Sequence, residues 1–490
     1  MSVKPLITLL FLLTVFTVLL FVAAVFPDNG ISLTKSMRLK FIQPKEIFSA
    51  PEKYYADISG IIANNELLDD SMVIELSAIE LDRGRDTIKA NADSLRSVIS
   101  RIQFPEKGAA ILYPAFRAFD KAAKSSKPVR IMHYGDSQIE GDRMTSFLRN
   151  RLQKKFGGMG PGLVPLKQVY DFSFSTIHKT SDNWFRFTLY GKRDTTLTHN
   201  RYGALASFSR FTSNMTDTMK TKPLQEVWVS FSPSAFGYSN TRTFSMCRVF
   251  YGYNKDPFVA ELYQNEELID ADMYPASNSL QIIRWKFDQP VNKIKIVFKG
   301  TSSPDFYGIA LDGQSGIAVD NIPMRGNAGL IFTRMNRELL QKHFRELNIR
   351  MILLQFGGNI VPHVVSDYGY YKEGFKAQLH EIKKIAPDVP VIVIGVADMS
   401  VQEGDHYVSY PNIEKVRDAL KTASLESGVA YWDLYEAMGG KNSMPSWVFA
   451  DPPLASSDFV HFNPEGAKII ANMFYNALMF EYNRYMKTGQ

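Results

Sequence analysis

Three separated segments carry side chains that could together move an acyl group. In the first, the apolar run Val129-Arg130-Ile131-Met132-His133-Tyr134 leads into Gly135-Asp136-Ser137-Gln138, and a helical pattern begins near Asp142. That layout puts Ser137 on a tight strand-to-helix turn, with Gly135 allowing close backbone approach. A serine there is exposed and its own amide lies near a helix start, so nucleophile and oxyanion donor can be one residue. In the second, Ser457-Asp458-Phe459-Val460-His461-Phe462-Asn463-Pro464-Glu465-Gly466, Asp458 and His461 stand three apart. On one turn both side chains can point the same way, the carboxylate fixing the imidazole tautomer and the imidazole taking the serine proton. In the third, the run Met351 to Phe356 reads as a buried strand that delivers Gly357-Gly358-Asn359 to its C-terminal end. The Asn359 amide could there donate to a developing oxyanion.

In this order the three segments resemble the SGNH (GDSL-type) hydrolase family. Ser137 matches its first block, Gly357-Gly358-Asn359 its Gly-x-Asn block, and Asp458-x-x-His461 its last. The resemblance implies a further oxyanion-hole glycine. Gly326, in Pro323-Met324-Arg325-Gly326-Asn327-Ala328-Gly329, is the candidate, and Gly329 would also serve. The implied assignment is Ser137, Asp458 and His461 as catalytic residues, with the amides of Ser137 and Gly326 and the side chain of Asn359 as the oxyanion hole.

The elements that must position these residues read as an α/β chain with a β insertion. The catalytic part is assigned to 128–165 and 311–490. Its strands alternate with helices at Arg143–Phe156, Ile331–Leu347, Tyr371–Ile385, Ile413–Ser427 and Gly466–Tyr482, which implies a three-layer α/β/α parallel sheet covered on both faces. Sites in such sheets sit at strand C-termini, where Ser137 and Asn359 both fall. Between the two parts, 166–310 consists of short alternating runs such as Trp184–Leu189, Val227–Phe231, Cys247–Tyr251 and Val291–Phe298, separated by Gly, Pro, Asn and Asp. That texture predicts an inserted antiparallel, jelly-roll-like sandwich, which the resemblance implies to be carbohydrate-binding. Residues 28–127 form a leader, with helical patterns at Ile74–Ile102 and Ile111–Ala123. Thr212–Thr221 reads as an exposed loop.

Residues 1–27 hold an unbroken apolar run from Pro5 to Phe26 behind Lys4, long enough to span a bilayer. The expectation is an uncleaved signal anchor, with a cleaved signal peptide as the alternative; either way the rest is exported, to the periplasm or cell surface in a bacterium. The chain has 490 residues, 56 basic and 50 acidic, for a net charge of +6. So small and dispersed an excess gives no reason to expect nucleic acid. Cys247 is the single cysteine, so no internal disulfide can form, and it reads as core filler. No Cys/His cluster has metal-ligand spacing. Gly157-Gly158-Met159-Gly160-Pro161-Gly162 lacks the Lys-Ser/Thr of a phosphate loop and reads as an ordinary loop. Neither metal nor other cofactor is expected.

Milder readings exist for several of these residues. Asn463-Pro464 already supplies a cap and first residue for the last helix, which frees Asp458 and His461 for chemistry. His133 is a rival base by position and reads as a buried support. His363 could line the cleft or simply sit in a loop. Asp136 shapes the turn. Trp184, Trp228 and Tyr251 could stack on sugars, and their alternation places them in a core. Gly135-Asp136-Ser137-Gln138-x-x-x-Asp142 with Phe156-Gly157-Gly158-x-Gly160, together with the insertion, is similar to the peptidoglycan O-acetylesterases. The implied substrate is an O-acetylated cell-wall or envelope polysaccharide. The alternatives are an O-acetyltransferase of the same fold, working with a membrane acyltransferase partner, and an anchored glycan-binding protein with a relic site.

Overall fold

The computed structural model describes residues 5–27, 31–32, 38–39, 55–67, 100–170, 172–192, 194–213 and 222–488. The chain divides into two compact units, Met1–Tyr55 and Ala56–Gln490. In the first, Pro5–Val25 forms a helix of 21 residues. At 1.5 Å per residue it is roughly 30 Å long, the thickness of a bilayer core. Two of its three threonines, Thr14 and Thr17, return their hydroxyls to the carbonyls of Leu10 and Leu13, so neither needs water. Most of the helical pattern expected over Ile74–Ile102 lies outside the described residues, as does most of the Thr212–Thr221 loop.

The second unit is built on a six-stranded sheet. Its order is Ile317–Pro323, Val129–Gly135, Ile349–Gln355, Val391–Ile394, Ala430–Trp432 and Ile102–Gln103. The first five run parallel and the last, a two-residue edge, runs antiparallel. The sheet is therefore mixed, because a segment from the leader closes its edge. Alternation along the strands creates two cores. Met132, Tyr134, Ile352, Leu354 and Val393 face one side; Ile131, Val319, Leu353, Ile394 and Trp432 face the other. Helices Arg337–Leu347, Gly369–Ile385 and Ile413–Glu426 cover the first face, and Tyr113–Asp120, Thr145–Phe156 and Pro464–Thr488 the second. This is why the strands read as continuous apolar runs.

Two antiparallel sheets make up the insertion. One contains Phe185–Thr188, Ser207–Arg210, Phe244–Asn254, Ser277–Val291 and Asp305–Asp312, with Gly162–Val164 added to the last. The other contains Thr176–Thr180, Gln225–Pro233, Phe258–Gln264, Glu267–Tyr274 and Ile294–Gly300. Between them lie Trp184, Cys247, Val249, Tyr251, Phe306, Ile309 and Leu311. The first sheet is also buried on its outer face. Phe187, Phe208, Phe250, Tyr307 and Ala310 belong to the catalytic core on one side of the central sheet. At the same junction Arg130 pairs with Asp312 and Asp320, and Arg248 with Asp312 at 3.0 Å. Gly158 and Gly160 make this contact possible: a Cβ on either would fall within 2.3 Å of the Ile317 oxygen or 2.1 Å of the Leu311 oxygen.

Candidate active site

The chain visits the central strands so that Ile317–Pro323 lies on one side of Val129–Gly135 and Ile349–Gln355 on the other. The reversal opens a crevice at the strand C-termini, and all the predicted site segments leave from there. Gly135 ends its strand against the next: a Cβ would meet Ile139 at 2.9 Å and the Gln355 oxygen at 3.0 Å. The following amide, of Asp136, donates to that same oxygen at 3.1 Å. The Asp136 carboxylate then caps the turn Ser137–Asp142 by accepting from the Gln138 amide at 3.0 Å. Burial pushes its pKa up to about 6, against the pull of that amide, the His461 charge and the Gly358 amide.

Ser137 emerges half-buried, with Oγ 2.8 Å from His461 Nε2. His461 Nδ1 is 2.7 Å from Asp458 Oδ2. The other Asp458 oxygen accepts from the amides of Val460 and His461 at 2.9 and 3.0 Å, folding the loop so that carboxylate and ring meet. Partial burial disfavours the Asp458 anion, yet hydrogen bonds from the His461 amide and ring and the Val460 amide outweigh it and hold the pKa below the usual aspartate value. Asn463 caps the last helix through the Gly466 amide at 3.0 Å, leaving Asp458 to the imidazole.

The glycine and asparagine segments also meet. The Asn359 side chain donates to the Asn327 carbonyl at 3.0 Å, which holds it against the loop bearing Gly326. Gly326 and Gly329 both have positive φ, +76° and +82°. They differ in surroundings. The Gly329 amide is taken by Asn327 Oδ1 at 2.7 Å, and a Cβ there would strike Phe356 and Phe375. Gly326 has open space where its Cβ would be, and among the described residues no acceptor takes its amide.

His133 is not brought to the serine. It is fully buried, with Nδ1 2.9 Å from Thr145 Oγ1 and Nε2 3.1 Å from Gln355 Oε1. Burial, partly countered by Gln355, lowers its pKa to about 4, so it is a neutral support beneath the turn. His363 is exposed in the loop after Asn359. Trp184 and Tyr251 fill the insertion core; Trp228 is half-buried beneath Lys295. Among the described residues no group of three or more His, Cys, Asp or Glu is placed to hold a metal ion.

Two residues escaped the sequence reading. Arg143 donates to the carbonyls of Ser137 at 2.6 Å and Phe462 at 3.0 Å, and Gln138 donates to that of Val460. Together they staple the serine turn to the histidine loop. Their partners are backbone oxygens, which leave no trace in side-chain spacing.

Residues 299–469 match the GDSL-like Lipase/Acylhydrolase family. The match contains Gly326, Asn359, Asp458 and His461, while Ser137 lies upstream, across the insertion. Among solved structures, one described as "Peptidoglycan O-acetylesterase in action" superposes with a TM-score of 0.57 at 18% identity, over 74% of this chain and 95% of that one. A family two carbohydrate esterase from Clostridium thermocellum matches at a TM-score of 0.23 and 8% identity, over 56% and 96%. A Corynascus carbohydrate esterase family 2 enzyme with a carbohydrate-binding domain matches at 0.25 and 12%, over 56% and 98%. No curated protein matches in sequence. The fold is SGNH-like, an α/β/α core with an inserted antiparallel β-domain. Residues 299–469 carry a GDSL-like lipase/acylhydrolase domain, and on that domain the chain is an ester hydrolase.

Proposed function

We propose that this esterase removes O-acetyl groups from a cell-wall or envelope polysaccharide through an acyl-enzyme intermediate. His461 Nε2 accepts the Ser137 proton as Oγ attacks the ester carbonyl, and Asp458 holds the imidazole and supports its positive charge. The amides of Ser137 and Gly326 and the free hydrogen of the Asn359 amide stabilise the oxyanion. His461 returns the proton to the departing sugar oxygen. Water, deprotonated by the same ring, then releases acetate and restores Ser137.

The observation that carries this reading is the unbroken relay from Ser137 Oγ to His461 Nε2 at 2.8 Å and from Nδ1 to Asp458 Oδ2 at 2.7 Å. The Pro5–Val25 helix is long and apolar enough to cross a membrane and would tether or export the enzyme. The test is acetate release from O-acetylated peptidoglycan and acetylated xylan in parallel, with serine labelling by a fluorophosphonate. Release and labelling are expected, and both should vanish in Ser137→Ala. Folded protein that frees no acetate from either polymer, or a Ser137→Ala protein that still does, would overturn the reading. Acetyl gain on bare glycan in place of acetate release would make the chain a transferase.

A further inference from the structure

A cleft runs between the catalytic core and the insertion, beside the serine turn. Gly141, Asn321 and Pro323 form its catalytic wall, and Arg186 and Tyr190 its opposite wall, with Tyr170 and Phe172 at the rim. Arg186 is half-buried in the strand Phe185–Thr188. Its Nη2 reaches the Tyr190 hydroxyl at 2.7 Å and the Ser207 hydroxyl at 3.5 Å, while its buried Nε has no partner. Among the described residues no carboxylate lies within ion-pair distance of it. The other guanidiniums nearby are satisfied: Arg149 by Asp142 at 2.7 Å and Arg325 by Glu140 at 2.5 Å. A part-desolvated cation without an anion is costly, and a site that keeps one is complete only with a bound anion.

The surroundings indicate what carries that anion. Tyr170, Tyr190 and Phe172 offer rings, and Phe172 packs with Phe174 and Phe236 in an aromatic cluster at 5.1 to 5.9 Å between centroids. Phe172 and Phe236 are largely exposed there. Exposed rings beside a cation suit the apolar face of a sugar bearing an acid group. The cleft also adjoins the reaction site. The Arg325 guanidinium lies 5.1 Å over the Tyr170 ring, and Arg325 precedes Gly326.

We infer that this cleft is a subsite for a carboxylate-bearing sugar of the polymer, with Arg186 gripping the carboxylate and the aromatic rim stacking on the ring. The inference rests on the polysaccharide esterase reading and specifies its substrate as an acidic saccharide. It is tested in a protein that cannot turn over. Trigalacturonate, xylotriose and a sugar phosphate are titrated calorimetrically into full-length Ser137→Ala and into Ser137→Ala with Arg186→Gln or Arg186→Lys. Thermal melting checks that each variant is folded. Trigalacturonate should bind more tightly than xylotriose. Arg186→Gln should weaken trigalacturonate about tenfold or more, and Arg186→Lys, which keeps the charge and loses the planar fork, should weaken it less. Equal binding of the acidic and neutral trimers, or no loss in a folded Arg186→Gln protein, would overturn the subsite. Tighter binding of the sugar phosphate would overturn the carboxylate assignment. Failure of acetate release in the separate assay would remove the esterase reading and leave this binding result standing.

Discussion

The Ser137–His461–Asp458 relay and the junction between core and insertion both join polar side chains from distant parts of the chain, and they do so by opposite means. At the triad the side chains of His461 and Asp458 are 26% and 49% exposed. Contact with solvent and three hydrogen bonds keep the Asp458 carboxylate charged. At the junction Arg130, Asp312 and Asp320 are wholly buried, and the Asp320 pKa rises to about 6 because burial outweighs the pull of Arg130. A charge there is tolerable only while every partner stays. On the proposed mechanism, the groups that cycle between charge states stay in contact with solvent, while groups that only hold two layers together are sealed away.

The sharpest way to break the comparison is at the triad. Ser137→Ala should lower kcat on the order of 10⁴-fold or more while melting at nearly the wild-type temperature. A residual rate within tenfold would mean that the relay is not the reaction centre. Asp312→Asn should do the reverse, destabilising the fold in urea by on the order of 3 kcal/mol, because Arg130 and Arg248 lose their shared anion. A neutral result would mean that the junction tolerates an unpaired charge.

Smaller effects sharpen the contrast. Asn359→Ala should cost about 100-fold in kcat if its amide feeds the oxyanion. Arg143→Met should cost about tenfold in kcat, with less change in KM and a parallel slowing of fluorophosphonate labelling, because the serine turn and histidine loop lose a tie. The smallest effect is one of pH. The folded pKa of Asp136 is about 6, above an unfolded value of about 3.9. The folded state holds that proton more firmly, so this group's stabilisation is full below the unfolded value and is lost as pH rises through the folded one. In Asp136→Asn that dependence is missing, so the melting temperature of wild type minus variant should fall between about pH 4 and pH 7. A difference that is flat with pH would place the Asp136 proton elsewhere.

What could be read from the sequence was short-range or periodic. The strand-to-turn step at Gly135, the three-residue spacing of Asp458 and His461, and the Asn463 cap all depend on neighbours in the chain. So do the alternation of strands with helices and the apolar runs of the central sheet. What could not be read depends on long-range partners without a side-chain signature. Arg143 finds the carbonyl of Phe462 across 319 positions. Gly326 and Gly329 look equivalent until the Asn327 side chain is seen to occupy one amide and leave the other. Phe250 and Tyr307 fit an ordinary sandwich pattern, yet each belongs to the catalytic core. The edge strand Ile102–Gln103 is too short to register as periodic.

The doubly buried sheet of the insertion has one more consequence. Because its strand Asp305–Asp312 is buried along its whole length, any swing of the insertion would have to expose that strand to water. On the proposed polymer, the distance from the anchoring sugar to the ester that is cut would be set by the scaffold. The enzyme would work as a fixed gauge, and successive groups along the polymer would come into reach only when the polymer itself slides.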